Sequence, residues 1–188
     1  MTIKLNITEE VRKFVEEECK KPESKYGYEP YLYHFAPVVK YSGVLARKLQ
    51  ADLEVIEIAA WLHDIGSIIY GRENHHITSA EIAEKKLKEL GYPEEKIEEV
   101  KKCILNHRGS VSNKRESTEE QIIADADAMS NFENISGIFR ASFVYENLGQ
   151  IKAKEAVRKK LENCYNKLSS EARKIIKPKY EAAMLLLS

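Results

Sequence analysis

Five histidines, His34, His63, His75, His76 and His107, are spread over the first two thirds of the chain, and three aspartates keep company with them. Asp64 directly follows His63, and Asp125 and Asp127 sit in IIADADAMS. Imidazole nitrogens and carboxylate oxygens together suit first-row divalent ions. Any one of these histidines taken singly reads as an ordinary capping or hydrogen-bonding residue, because the ring is amphipathic and common in partly buried positions. The collective pattern is more telling, since every histidine falls at or near an inferred helix end. Ends of separate helices can converge on one cavity while their interiors hold ligand geometry rigid.

The elements that must position these groups are helical. Apolar residues recur at helical spacing almost throughout, no segment alternates as a strand does, and no fixed-length repeat suggests a solenoid. The expected class is therefore all-α. A first helix is predicted from Thr8 to Lys20, closed by Pro22. The Tyr-rich connection KPESKYGYEPYLY is expected to pack on the domain, burying rings and leaving hydroxyls to hydrogen-bond. A second helix runs from Tyr33 to Gln50 on Val38, Leu45 and Leu49, with Pro37 in its first turn and His34 at its start. A third is capped by Asp52, turns Val55, Ile58, Ala59 and Leu62 inward and ends at Gly66, with His63 and Asp64 in its last turn.

Beyond it, SIIYGRENHH reads as a loop leading to a helix capped by Thr78 and Glu81 and stopped at Gly91. Pro93 opens the next helix, which reaches His107 before the polar SVSNKREST stretch. Ser117 and Glu120 form a second capping box, and the following apolar face of Ile122, Ile123, Ala126 and Met129 is interrupted by Asp125 and Asp127. The remainder reads as architectural: helices from Ser136 to Leu148 and from Ile151 to Leu168, then a terminal helix interrupted near Pro178. The closing AAMLLLS is expected to pack on a neighbouring helix, since no basic cluster flanks it to favour a lipid surface.

Composition narrows the function classes. With 188 residues the chain fits a single domain, 1–188, that buries enough surface to need neither disulfides nor a structural metal for its core. Thirty basic residues balance thirty acidic ones, which excludes a generally basic surface for extended nucleic acid but leaves room for a local phosphate pocket. Cys19, Cys103 and Cys164 are odd in number and form no CxxC pair, so neither a disulfide scaffold nor a thiolate zinc site is supported and a reducing, cytoplasmic setting is expected. No signal peptide and no membrane span is expected, because no apolar run is long enough.

WLHDIGS, containing His63-Asp64-Ile65-Gly66, resembles the signature of the HD-domain metal-dependent phosphohydrolase superfamily, and IIADADAMS, following His34, resembles that family's late acidic helix. The resemblance covers about residues 34–140. It implies a compact HD-domain-like multi-helix bundle and a metal held by His34, His63, Asp64 and Asp127, with Asp125 as the alternate to Asp127. NHHITSAEIA and ILNHRGS also resemble the branch in which further histidines bind a second ion, which implies His75, with His76 as alternate, and His107; Asp64 would then bridge. The implied cofactor is one or two divalent transition-metal ions, Mn, Fe, Ni, Co or Zn, and the implied reaction is hydrolysis of a phosphoester by metal-activated water. The partner is a small phosphorylated molecule or nucleotide, and a homo-oligomer is compatible with the sequence.

Phosphate recognition requires positive donors near the metal ligands. Arg72 and Arg108 lie a few residues from proposed histidine ligands, and Lys114, Arg115 and Arg140 are further candidates, a guanidinium being able to grip phosphate with a rigid fork. His63, Asp64 and Arg72 are the expected catalytic residues, and Glu73 is a conceivable proton carrier through one water. Ser67, Ser79 and Ser110 lack the setting of a serine nucleophile, and no GxxxxGK[ST] loop is present. Two other readings stay open: a di-iron oxygenase of a small hydroxylated substrate, and a non-catalytic binding or oligomerisation module stabilised by its metal.

Overall fold

The computed structural model describes residues 6–108 and 115–188. Among them the chain is helical with no strand. α1 spans Ile7–Lys20, and a π-helical turn, Tyr31–Phe35, runs directly into α2, Ala36–Leu49. α3 is Leu53–Leu62, α4 Ile65–Tyr70, α5 His75–Glu89 and α6 Glu94–Asn106. α7 is Thr118–Ser130, α8 Ile135–Arg140 followed by a second π turn, Ala141–Tyr145, and α9 and α10 are Gln150–Lys167 and Ser170–Leu186. None of these helices is long and apolar enough to cross a membrane.

α3 is the centre of the bundle. Seven of its residues, Val55, Ile56, Ile58, Ala59, Ala60, Trp61 and Leu62, are buried on all sides, as expected for a helix apolar around its circumference. Asp52 caps it by accepting from the amides of Glu54 and Val55 at 3.0 and 3.1 Å. α1, α2, α6 and α7 pack around it, α7 lying along α2 and α5 along α6. Of the tyrosines in the α1–α2 connection, Tyr26 and Tyr33 stay exposed, while Tyr31 is buried and stacks between Tyr28 and Trp61, 5.3 and 5.4 Å away, its hydroxyl accepting from Arg12 at 2.7 Å. That stack anchors the π turn that carries His34.

Several local expectations are corrected. α3 stops at His63, not Gly66, and the expected loop after it contains α4; Gly71, at φ 101°, is the residue whose left-handed backbone ends that helix. Gly66 lies within α4, where a Cβ would come within 2.8 Å of the His75 carbonyl and the Ser79 amide, so it is a close-approach glycine. α5 begins at His75, after Asn74 at φ 51°, and the Thr78 hydroxyl donates back to the His75 carbonyl at 3.2 Å instead of capping the helix. Pro178 sits inside a continuous α10, and the helix expected to reach Leu148 gives way at Ala141 to the π turn. Of AAMLLLS, Ala183 and Leu187 pack inward while Leu185 and Leu186 face outward.

Candidate metal centre

Four helix ends and one helix flank meet at one place. His34 comes from the first π turn, His63 from the C-cap of α3, Asp64 from the kink between α3 and α4, His75 from the start of α5, His107 from the C-cap of α6 and Asp127 from α7. The six side chains divide into two groups around Asp64. Its Oδ2 lies 3.3 Å from His34 Nε2 and 4.0 Å from His63 Nε2, and these two nitrogens are 3.8 and 4.0 Å from Asp127 Oδ1. Its Oδ1 lies 3.2 Å from His75 Nε2 and 3.4 Å from His107 Nε2. Two donors about 2.1 Å from one ion stand about 3.0 Å apart at right angles, about 3.4 Å apart at the tetrahedral angle and about 4.2 Å apart when opposed. All these separations fall inside that range, so each group could hold an ion, with Asp64 shared.

The orientation of the rings follows from backbone chemistry. The last carbonyls of a helix have no amide partner within the helix. His63 Nδ1 donates to the Ala60 carbonyl at 2.8 Å and His107 Nδ1 to the Ile104 carbonyl at 2.5 Å; His75 Nδ1 does the same with the Arg72 carbonyl at 2.9 Å. Each bond spends the ring's hydrogen on Nδ1 and leaves the Nε2 lone pair aimed at the centre. His34 is set by Ser130. The Ser130 hydroxyl donates to the Asp127 carbonyl at 2.7 Å, so its oxygen accepts from His34 Nδ1 at 3.1 Å. The Nε2 atoms of His34 and His63 then face each other at 3.0 Å, a contact that a proton on His34 or a cation beside the pair would satisfy.

Electrostatics repeats the demand. Burial pushes His63 down to about 4, keeping it a neutral donor. Burial would also lower His34 and His107, but the Asp64 carboxylate outweighs it and raises both. Burial would raise Asp64, yet His63, His107 and His34 hold it well below the usual carboxylate range. Asp64 Oδ1 is fully buried without a well-aligned donor. A cavity that binds protons this way asks for cations. The site is also one-sided, with His63, His75 and His107 buried as its floor and His34, Asp64 and Asp127 partly exposed at its lip.

The alternates point elsewhere. Asp125 is buried on the far side of α7, where Oδ1 accepts from Gln121 at 3.0 Å and from the Ser169 amide at 3.0 Å, tying α10 to α7. His76 accepts from Arg108 at 3.3 Å through Nδ1, its ring edge-on to His75. Among the phosphate candidates, Arg108 is half-buried one residue beyond His107, and Arg115 donates to the Asn106 carbonyl at 3.2 Å. Arg72 has an exposed side chain, and it is its carbonyl that seats His75; Glu73 is exposed beside it. Arg140 pairs with Glu29 at the surface, and Lys114 lies outside the described residues. Sequence reasoning missed Ser130, whose only signal is its place three residues after Asp127, in the register for bonding that carbonyl.

Comparison with known proteins identifies the family and the fold. The HD domain family model matches residues 31–131. A Clostridium beijerinckii protein described as uncharacterized is 34% identical over 103 residues, covering 53% of this chain and 63% of its own length, so the match spans less than two thirds of that relative. The crystal structure of Bacillus subtilis YpgQ in complex with ADP has the same fold, with a TM-score of 0.71 and 20% identity over 95% of this chain and 92% of that one. A protein from an uncultured Thermotogales bacterium, described as a predicted HD superfamily hydrolase, has a TM-score of 0.56 and 24% identity over 82% of this chain and 84% of its own.

Proposed function

This chain belongs to the HD domain family, and on that premise we propose that it is a metal-dependent phosphohydrolase acting on a nucleotide or a small phosphorylated metabolite. The observation that carries the reading is the division of the ligands: Asp64 presents one oxygen to His34 and His63 and the other to His75 and His107. His34, His63, Asp64 and Asp127 would hold one divalent ion, and Asp64, His75 and His107 a second. Such ions activate water and offset charge on the attacking and leaving oxygens of a phosphoryl group.

The chain's own residues supply the rest. Ser130 and the carbonyls of Ala60, Arg72 and Ile104 fix the four rings, so little reorganisation is needed when ligand arrives. The partly exposed lip of His34, Asp64 and Asp127 keeps one side accessible to substrate, which favours an enzyme over a closed structural site. Arg108, half-buried one residue beyond His107 and hydrogen-bonded to His76, is the phosphate donor we favour, with exposed Arg72 as the second candidate. The ADP bound to YpgQ, a protein of the same fold, puts nucleotides first among the compounds to try.

The test is to measure metal content of the purified protein and assay phosphate release from nucleotides and phosphometabolites with manganese, cobalt, nickel, magnesium and iron. Turnover with phosphate release and no oxygen uptake is expected. Oxygen consumption with iron would replace this reading with a di-iron oxygenase, and tight metal binding without any turnover would reduce the site to a structural one.

A further inference from the structure

Among the described residues the partly buried lysines are Lys86, Lys96, Lys101 and Lys160. Three of them have their charge answered. Lys86 Nζ lies 5.0 Å from the centre of the Phe14 ring, Lys96 reaches Asp52 and Glu54 at 3.0 and 3.3 Å, and Lys101 reaches Glu84 and Glu98 at 2.7 Å each. Lys160, on α9, has no ion pair, hydrogen bond or aromatic ring for its ammonium among the described residues. The acids of its own helix turn away: Glu155 and Glu162 project about 140° and 160° from it around the axis. An ammonium drawn partly out of water without a partner costs free energy, which an arriving anion would offset.

The position of Lys160 says where that anion is. α9 buries Ala153, Val157 and Leu161 and packs on both α7 and α10. Tyr165 stacks on Tyr180 of α10 at 3.9 Å, which fixes that flank of α9 against α10. Lys160 projects about 140° from Tyr165 and shares the other flank with Cys164, one turn on. Burial raises the Cys164 thiol, and the charges that act on it are Lys160, Asp127 and Lys167. Lys160 and the Asp127 carboxylate thus lie about the same thiol, so the unpaired ammonium stands on the α9 side of the lip that His34, Asp64 and Asp127 form.

We propose that Lys160 is a phosphate-binding residue of this site and that the substrate carries at least two linked phosphates. The proposal rests on the phosphohydrolase reading of the metal centre. A phosphoryl group reacting between His34, His63, His75 and His107 leaves Lys160 outside the ligand set, past Asp127, with which it makes no ion pair. The anion that meets its ammonium is therefore the next phosphate of the chain, and the substrate extends from the ions toward α9.

Titration calorimetry on the metal-loaded full chain, in excess magnesium, tests this with inorganic pyrophosphate and inorganic phosphate as probes. Pyrophosphate is expected to bind the wild type more tightly than phosphate. Lys160→Met keeps the apolar stem and drops the charge; it should weaken pyrophosphate binding about 10- to 100-fold, as loss of a hydrogen bond between charged groups does, and leave phosphate binding nearly unchanged. Lys160→Arg should retain most of the pyrophosphate affinity, and Lys159→Met, at an exposed neighbour on α9, should retain all of it. Metal content and circular dichroism should match wild type in each variant. A wild type that binds pyrophosphate no better than phosphate would overturn the inference, and so would a Lys160→Met protein with wild-type pyrophosphate affinity. Equal losses for both probes would overturn it too, because that is the result for a charge that only balances Asp127. Binding is read without turnover, so the two readings fail separately: discrimination lost in Lys160→Met without phosphate release from any substrate removes the hydrolase and keeps the phosphate site, whereas turnover with an indifferent Lys160→Met does the reverse.

Discussion

Gly66→Ala is the substitution that most directly probes how the second ligand group is seated. Its Cβ would lie 2.2 Å from Thr78 Oγ1 and 2.8 Å from both the His75 carbonyl oxygen and the Ser79 amide, where ordinary contact begins at 3.4 Å. The hydroxyl can rotate away; the two backbone atoms cannot. The start of α5 must therefore retreat from α4 by about 0.6 Å, several times the ±0.2 Å tolerance of a metal–ligand distance. His75 begins that helix and sits 3.2 Å from Asp64 Oδ1, so it moves away from the carboxylate it shares with His107. Overpacking of this kind costs about 1 to 3 kcal/mol. For a domain of this length that lowers Tm by about 3 to 10 °C, and bound metal should fall by about one equivalent. Gly43→Ala is the opposite case: in mid-helix its Cβ meets Arg47 at an ordinary 3.6 Å, so it should stabilise by about 0.5 to 1 kcal/mol. Adding Thr78→Ala to Gly66→Ala should restore only part of the loss. Scanning calorimetry with metal analysis decides it. Wild-type Tm and metal content in Gly66→Ala, or full rescue by Thr78→Ala, would refute the backbone argument.

Asp64→Asn keeps the side chain's size but leaves one ligating oxygen, so metal analysis should find at most one equivalent, and phosphate release should fall by about 10³-fold or more. Arg108→Ala should leave bound metal unchanged and lower kcat/KM about 10- to 100-fold, chiefly through KM; a loss of metal would instead make Arg108 a structural residue. Glu133 provides a pH test away from the site. Burial would raise its carboxyl, but hydrogen bonds from Lys179 and Tyr41 hold it at about 2 against a usual 4.5. Its folded pKa is the depressed one, so its contribution is present above pH 4.5 and fades as pH falls toward 2. Glu133→Gln should therefore cost about 1 kcal/mol at neutral pH, a difference from wild type that shrinks across that window in acid unfolding.

The all-α class was legible because apolar periodicity and caps agree over long segments. Asp52 and Ser117 cap α3 and α7, where Ser117 accepts from the Glu120 amide at 3.1 Å, and Gly91, at φ 71°, follows the end of α5. What sequence could not show is how a short helix begins. α4 is six residues long, too short for a period to be read, and its start has no side-chain cap. The Thr78 capping pattern misled for a related reason. A Thr-x-x-Glu arrangement is equally compatible with a hydroxyl bonding backward within a helix already begun, and only the left-handed Asn74, four residues earlier, decides between them. The direction of Asp125 was illegible too, because it depends on the Ser169 amide, 44 residues further along the chain.

The misreading of Gly66 also explains why two adjacent residues can serve two groups. In an unbroken helix, His63 and Asp64 would diverge by about 100° and could share only what lies beside one turn. The chain instead leaves α3 at His63 and re-enters helix at Ile65, with Asp64 at φ −117° and ψ 12° between them. This break holds the carboxylate between helices: Oδ2 turns toward the His34 side and Oδ1 toward α5 and α6. The break alone would not suffice, since α5 must come close enough for His75 to reach Oδ1. Gly66 permits that approach, and its amide, freed from α3 by the break, donates to Ser79 Oγ on α5 at 2.9 Å and fastens the two helices there. His-Asp-x-Gly is thus a mechanical unit in this chain. The histidine closes one helix on the Ala60 carbonyl, the aspartate reaches from the kink toward both groups of histidines, and the glycine admits the helix that carries His75.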